Sequence, residues 1–108
     1  MLKKNYEFKK VLSRGNFFYG NFIILVVLEN NQSQNYLGLA LSSKLGKAVR
    51  RNRIKRLIRE SYYFFEENIE NGKSMIFLWK KNVSMENVKF LDIKDDMEKI
   101  LSKADILK

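Results

Sequence analysis

Hydrophobic and polar positions fall into blocks along the chain, and the period of each block predicts an element. In residues 2–13, Leu2 or Tyr6, then Phe8, Val11 and Leu12, recur at near-helical spacing with lysines between them, which predicts an amphipathic helix. Gly15 supplies its stop, because glycine takes the left-handed cap conformation at little cost. Residues 17–28 are aromatic and β-branched, interrupted only by Gly20-Asn21, and predict a long or broken strand. The 22–28 part is apolar at every position, which implies burial on both faces. A polar turn, ENNQSQN (29–35), leads to a second strand over 36–41, and this spacing suggests an antiparallel hairpin. A loop over 42–47 precedes a helix from about Ala48 to Asn71, ended by Asn71-Gly72. A strand over 74–80, a connection over 82–87 and a helix over about 88–101, carrying Leu91, Met97, Ile100 and Leu101, complete the chain.

The order is α-β-β-(β)-α-β-α, and the strand–helix–strand unit around the long helix places two strands in one sheet. The fold class is therefore α+β, a two-layer α/β sandwich, and residues 1–108 form a single domain with no repeat or linker.

Composition narrows the chemistry. Hydrophobic residues make up 45% of the chain and aromatics 13%, which supports a packed core rather than a disordered basic tail. There is no cysteine and no histidine, so disulfides, thiol chemistry, the usual zinc ligands and the usual neutral-pH proton shuttle are all absent. The N-terminus MLKKNYEFKK lacks a signal-peptide core, and the longest apolar run is far short of the ~20 residues a spanning helix takes. A cytoplasmic protein with no membrane partner is the expectation.

Charge adds a location. The net charge is +9, with 21 basic and 12 acidic residues. Eight basic residues (Lys44, Lys47, Arg50, Arg51, Arg53, Lys55, Arg56, Arg59) lie within 43–59 with no acid among them, and the other 13 nearly balance all 12 acids. One segment thus carries almost the whole imbalance, the footprint of a polyanion site. On a helical wheel turning about 100° per residue, Ile54, Leu57, Ile58, Ser61 and Phe65 fall in one stripe. Arg51, Lys55, Arg59, Asn52 and Arg56 fall in another, and Arg53 stands apart. Like charges four residues apart cost roughly 0.2–0.5 kcal/mol per pair, and a solvated face relieves this by alternating signs. Here the acids begin only at Glu60, so the face is built for phosphates. Arginine grips phosphate oxygens bidentately, and Asn52 can donate and accept at a base edge or ribose hydroxyl. Helix-turn-helix proteins need a short helix ahead of the recognition helix, and here a strand precedes it. Basic zippers need sustained heptads, which are absent.

These residues also resemble a family. Gly46, Ala48, Val49, Arg51-Asn52-Arg53, Lys55-Arg56 and Arg59-Glu60 look like the RNR signature of the bacterial ribonuclease P protein family, and Gly38 with Ser42 to Lys44 fits its strand-and-loop entry. LKKNYEFKKVLSRG (2–15) is similar to that family's opening helix, so the resemblance spans almost the whole chain. It implies a left-handed βαβ crossover around the long helix. It implies that the catalytic chemistry, removal of the 5′ leader from precursor tRNA, belongs to an RNA partner, with magnesium bound mainly by that RNA and none by the protein alone. Lys44, Lys47, Arg50, Arg51, Asn52, Arg53, Lys55, Arg56 and Arg59 would bind the RNA. Phe8, Leu12 and Val26, with Lys80 and Lys81, would form a cleft for the single-stranded leader. The family usually has aromatics where Leu12 and Val26 stand, so this cleft would rely less on stacking, worth about 1–3 kcal/mol per base. Phe18, Tyr19 and Phe22 are the candidates to compensate.

Each assignment has a plainer counterpart. Phe8, Leu12 and Val26 also suit ordinary core packing, as do Tyr62, Phe65 and Trp79, with Tyr63 and Phe64 partly exposed. Asp92, Asp95, Asp96 and Glu98 could bind magnesium, but acids early in a helix also complement its dipole, and the dipole reading is preferred. Three function classes stand: a subunit assisting an RNA enzyme, with no catalytic residue and no obligate protein partner of its own; a general RNA-binding or ribosome-associated protein; and, weakest without histidine, a self-contained nuclease.

Overall fold

The computed structural model describes residues 5–108, so Leu2 lies outside the described residues. Helix α1 (Asn5–Arg14) turns Val11 inward, with Phe8 and Leu12 half-buried beside it, onto Val26 and Ile76 of the sheet. Gly15 ends α1, but not through a left-handed cap: its N–H donates to the Val11 carbonyl at 2.7 Å and its φ is not positive. Glycine is required because the backbone passes so close to its neighbours. A Cβ there would lie 2.5 Å from the Val11 oxygen and 2.8 Å from Val26 Cγ1.

The broken reading of 17–28 is the observed one: β1 (Asn16–Tyr19) and β2 (Ile23–Glu29) pair antiparallel across a turn at Gly20-Asn21. The expected hairpin between β2 and β3 (Tyr36–Ala40) does not form. Strand β4 (Lys73–Trp79) lies between them, antiparallel to β2 and parallel to β3, giving the order β1-β2-β4-β3. The reason is burial. The runs IILVVL in β2 and MIFLW in β4 are apolar on both sides, and a strand covers both sides only in the middle of a sheet. Parallel β3 and β4 are joined through α2 (Ala48–Phe65) as a βαβ crossover.

Ile23, Leu25, Val27, Met75, Phe77 and Trp79 face α2 and α3 (Phe90–Lys103) and form the main core with them. The alternate residues Val26 and Ile76 meet α1 on the other face. The sheet with α2 and α3 makes the two principal layers of the α+β fold, and α1 covers part of the remaining face. Helix α2 stops at Phe65, earlier than the expected Asn71, and passes into a 3-10 turn over Glu66–Asn68. Glu66 and Glu67 would sit at the negative end of a longer helix dipole, which disfavours continuation. Gly72 (φ 85°) instead turns the chain into β4.

Candidate nucleic-acid interface

Along α2, Ile54, Leu57, Ile58, Ser61, Tyr62 and Phe65 are buried, as the wheel requires. Ser61 stays in the core because its hydroxyl donates to the Leu57 carbonyl at 2.9 Å. Fixing that stripe fixes the opposite one: Asn52 and Arg56 are exposed, and Lys55 and Arg59 are half-exposed. Lys44 and Lys47, exposed in the lead-in, continue the surface past the helix start. Lys47 caps α2 without a side-chain hydrogen bond, so the first-turn N–H groups remain available at the positive end of the dipole.

The nine candidate RNA-binding residues are not equivalent. Arg51 Nη1 donates to the carbonyls of Ser43 at 3.2 Å and Gly46 at 2.9 Å, tying the lead-in loop to the helix. Arg53 Nη2 donates to the Val88 carbonyl at 2.6 Å, which explains its isolation on the wheel: it fastens α2 to the segment before α3. Arg50 pairs with Glu86 at 2.8 Å, both groups well exposed. Lys44, Lys47, Asn52, Lys55, Arg56 and Arg59 make no side-chain hydrogen bond or ion pair among the described residues. Five unneutralised cations and one amide thus share a surface that needs anions.

The second candidate region lies where α1 crosses the sheet. Phe8 and Leu12 are half-buried on α1, and Lys80 and Lys81 stand just beyond β4, where the Lys80 N–H donates to the Phe22 carbonyl at 2.9 Å. Val26 is a correction. It is fully buried (0% exposed) beneath Val11 and Gly15, so it shapes the floor and offers no surface to a base. Cross-strand register aligns Tyr19, Ile24, Leu78 and Ala40 in one row on the α1 side, and Ile24, Leu78 and Ala40 are half-buried there.

Of the proposed compensating aromatics, Phe18 packs against the main core and Phe22 lies 6.0 Å from the Trp79 ring. Of these three only Tyr19 is exposed, and its ring neighbour is the likewise outward Phe17, to which the sequence alone assigns no role. The period-two alternation after Gly15 already pairs Phe17 with Tyr19 and opposes Phe18; which face was outward had to come from the sheet.

The acidic cluster also resolves. Asp96, only 3% exposed, accepts the N–H groups of Asn21 (2.6 Å), Phe22 (2.9 Å) and Ile23 (3.0 Å), so it locks the β1–β2 turn rather than serving the dipole of its own helix. A Cβ at Gly20 would come within 2.4 Å of that carboxylate. Asp92 accepts the Lys89 N–H at 2.9 Å at the start of α3, in keeping with the dipole reading. Among the described residues, no three acids, histidines or cysteines converge as a metal-binding group. Trp79 is core and donates its indole N–H to the Val83 carbonyl at 2.7 Å. Tyr63 and Phe64 are exposed, with the Lys94 ammonium 4.4 Å from the Phe64 ring centre. Burial, with help from Glu66 and Tyr63, pushes the Tyr62 phenol up from the ordinary 10 to about 12.

No helix among the described residues is long and apolar enough to cross a membrane. The family model Ribonuclease P matches residues 1–105. The ribonuclease P protein component of Clostridium kluyveri is 37% identical over 99% of this chain and 96% of its own length. That of Clostridioides difficile is 33% identical over 97% and 91%. Among solved structures, the Staphylococcus aureus RNase P protein superposes with a TM-score of 0.86 at 28% identity, covering 99% of this chain and 96% of that one. The Thermotoga maritima RNase P protein shares the fold, with a TM-score of 0.87 at 24% identity over 95% and 98%. With the family model, the curated relatives and the solved fold all matching nearly end to end, the chain belongs to the ribonuclease P protein component family, the protein part of a ribonucleoprotein endoribonuclease.

Proposed function

We propose that this protein binds the catalytic RNA of ribonuclease P through α2 and its lead-in loop, and holds the 5′ leader of precursor tRNA in the cleft between α1 and the sheet. The observation that carries this reading is the unneutralised face of Lys44, Lys47, Asn52, Lys55, Arg56 and Arg59, fixed in place by the buried stripe behind it. Arg51 and Arg53 serve the same surface indirectly by holding the loop and the helix in position. Phosphate contacts of this kind dominate affinity and make it fall steeply with salt.

Within the cleft, Phe8 and Leu12 supply the apolar wall and Lys80 and Lys81 the charge. The magnesium that cleavage needs is assigned mainly to the RNA, in line with the family resemblance, and the protein acts by binding and orientation, with Asp92 and Asp96 engaged by backbone donors. A cytoplasmic location, no membrane partner and no obligate protein partner complete the reading. Against a general RNA-binding role, the second surface gives the protein a way to recognise the unpaired segment of a substrate. The deciding experiment mixes the protein with its cognate ribonuclease P RNA and precursor tRNA at low magnesium. Higher cleavage and tighter binding of leader-bearing than of mature tRNA are expected; the absence of both would leave only general RNA binding.

A further inference from the structure

Two large aromatic side chains on a four-residue edge strand face outward. Phe17 is 42% exposed and Tyr19 54%, their ring centres are 6.4 Å apart, and the ring planes differ by only 26°. Register sets Phe17 across from Val26 and Tyr19 across from Ile24, so both stand on the face that carries α1. Helix α1 packs on that face through Val11 against Val26 and Ile76, and leaves Phe17 and Tyr19 exposed. The row of exposed Tyr19 and half-buried Ile24, Leu78 and Ala40 runs from the β1 edge to the β3 edge, where the chain enters the basic loop. Three strand spacings make this row about 14 Å long, the length of about four stacked nucleotides.

Two features make the pair a platform. Its backbone is held: Asp96 fixes the turn that follows Tyr19 through three N–H groups, and Lys103 Nζ donates to the Tyr19 carbonyl at 3.1 Å. Its surroundings are cationic. Lys80 follows β4 two residues beyond Leu78, and Lys103 brings a second positive charge to the edge itself. Asp96 is buried and turned to backbone donors, and the exposed Asp95 and Glu98 lie on the α3 side of Lys103, where Lys99 adds a further cation. An apolar strip with an aromatic end and a cationic border complements a strand with flat bases and a charged backbone.

We propose that Phe17 and Tyr19 form a base-stacking platform for an unpaired stretch of RNA, extending the leader cleft to the β1 edge and supplying the aromatic surface that Leu12 and the buried Val26 do not. The inference rests on the leader reading of the cleft. It assigns the path of the strand: from the α2 loop across Ala40, Leu78 and Ile24 to the stacked pair.

The test uses the protein assembled with its ribonuclease P RNA, and precursor tRNAs carrying 2-aminopurine at successive leader positions, with mature tRNA as control. The F17L/Y19L variant keeps apolar, strand-compatible side chains but removes both aromatic faces, and Tyr19→Phe keeps both faces and removes only the hydroxyl. The wild type should bind leader-bearing tRNA more tightly than mature tRNA and quench 2-aminopurine at one or two leader positions. F17L/Y19L should lose about tenfold in affinity for leader-bearing tRNA only, together with the quenching, while Tyr19→Phe keeps both. If F17L/Y19L binds and quenches like the wild type while the wild type still discriminates, the platform is wrong and the cleft reading survives. If the wild type itself does not discriminate, both fall. A change in F17L/Y19L confined to self-association by sedimentation would mark the pair as a protein contact and overturn the proposal.

Discussion

The outer face of α2 and the face of the sheet beside α1 are both set by burial on their far side, yet they are built from opposite materials. On α2 the exposed groups are cations on long side chains, and their effect on a polyanion depends on charge density more than on any one position. On the sheet the exposed groups are apolar or aromatic, and each depends on a backbone path held by particular contacts: Gly15 against Val26, and Asp96 against three N–H groups of the β1–β2 turn. Substitutions on the first should therefore lower RNA affinity and leave stability intact. Substitutions behind the second should damage the fold and leader binding together.

The largest effect on that contrast is expected from Asp96→Ala. Three N–H groups would lose a charged acceptor, one of them buried, costing about 3 kcal/mol in chemical denaturation, with leader binding impaired and contacts through α2 less so. A variant as stable as the wild type would show that the turn does not need the carboxylate. Next comes R56A/R59A: affinity for ribonuclease P RNA should drop by an order of magnitude or more and the salt slope flatten by about two, with the melting temperature unchanged. Arg51→Ala is the sharpening control, because it should lose stability as well as affinity once Ser43 and Gly46 lose their donor. Phe8→Ala should weaken leader-bearing tRNA several-fold and mature tRNA little; equal loss for both would remove Phe8 from the cleft.

Two smaller effects follow. Glu86→Gln should shift stability by only a few tenths of a kcal/mol and slightly raise RNA affinity by releasing Arg50, and a fall in affinity would contradict that pairing. The raised Tyr62 pKa means that the fold favours the neutral phenol. Its contribution is full below pH 10, the ordinary value, and is lost as pH rises toward about 12. Tyr62→Phe should therefore lose less stability than the wild type across that interval in pH-dependent denaturation.

The two regions also differed in how far the sequence disclosed them. The α2 face was legible because a helix face is a local property: charge sign and a 100° turn place Arg56 and Arg59 opposite Ile54 and Ile58 without knowing what packs behind. The sheet was not, because strand neighbours are a global property. Residues 29–35 invited a hairpin, yet the all-apolar runs in β2 and β4 make these two the central pair, and uniform apolarity erases the alternation that would have shown their register. Val26 enters the cleft only through the family resemblance, and its full burial follows from the same central position of β2. For Asp96, nothing local in the sequence reveals a backbone partner 75 residues away. Period-two alternation separates Phe17 from Phe18 but does not say which one faces out.

The most direct test of the central claim is single-turnover cleavage of precursor tRNA by the cognate ribonuclease P RNA at low magnesium, with no protein, with the wild type and with R56A/R59A. The account predicts that the wild type raises the rate strongly and that R56A/R59A, folded to the same melting temperature, loses most of that gain. A wild-type protein that leaves the rate unchanged, or an R56A/R59A variant that restores it in full at equal concentration, would contradict it.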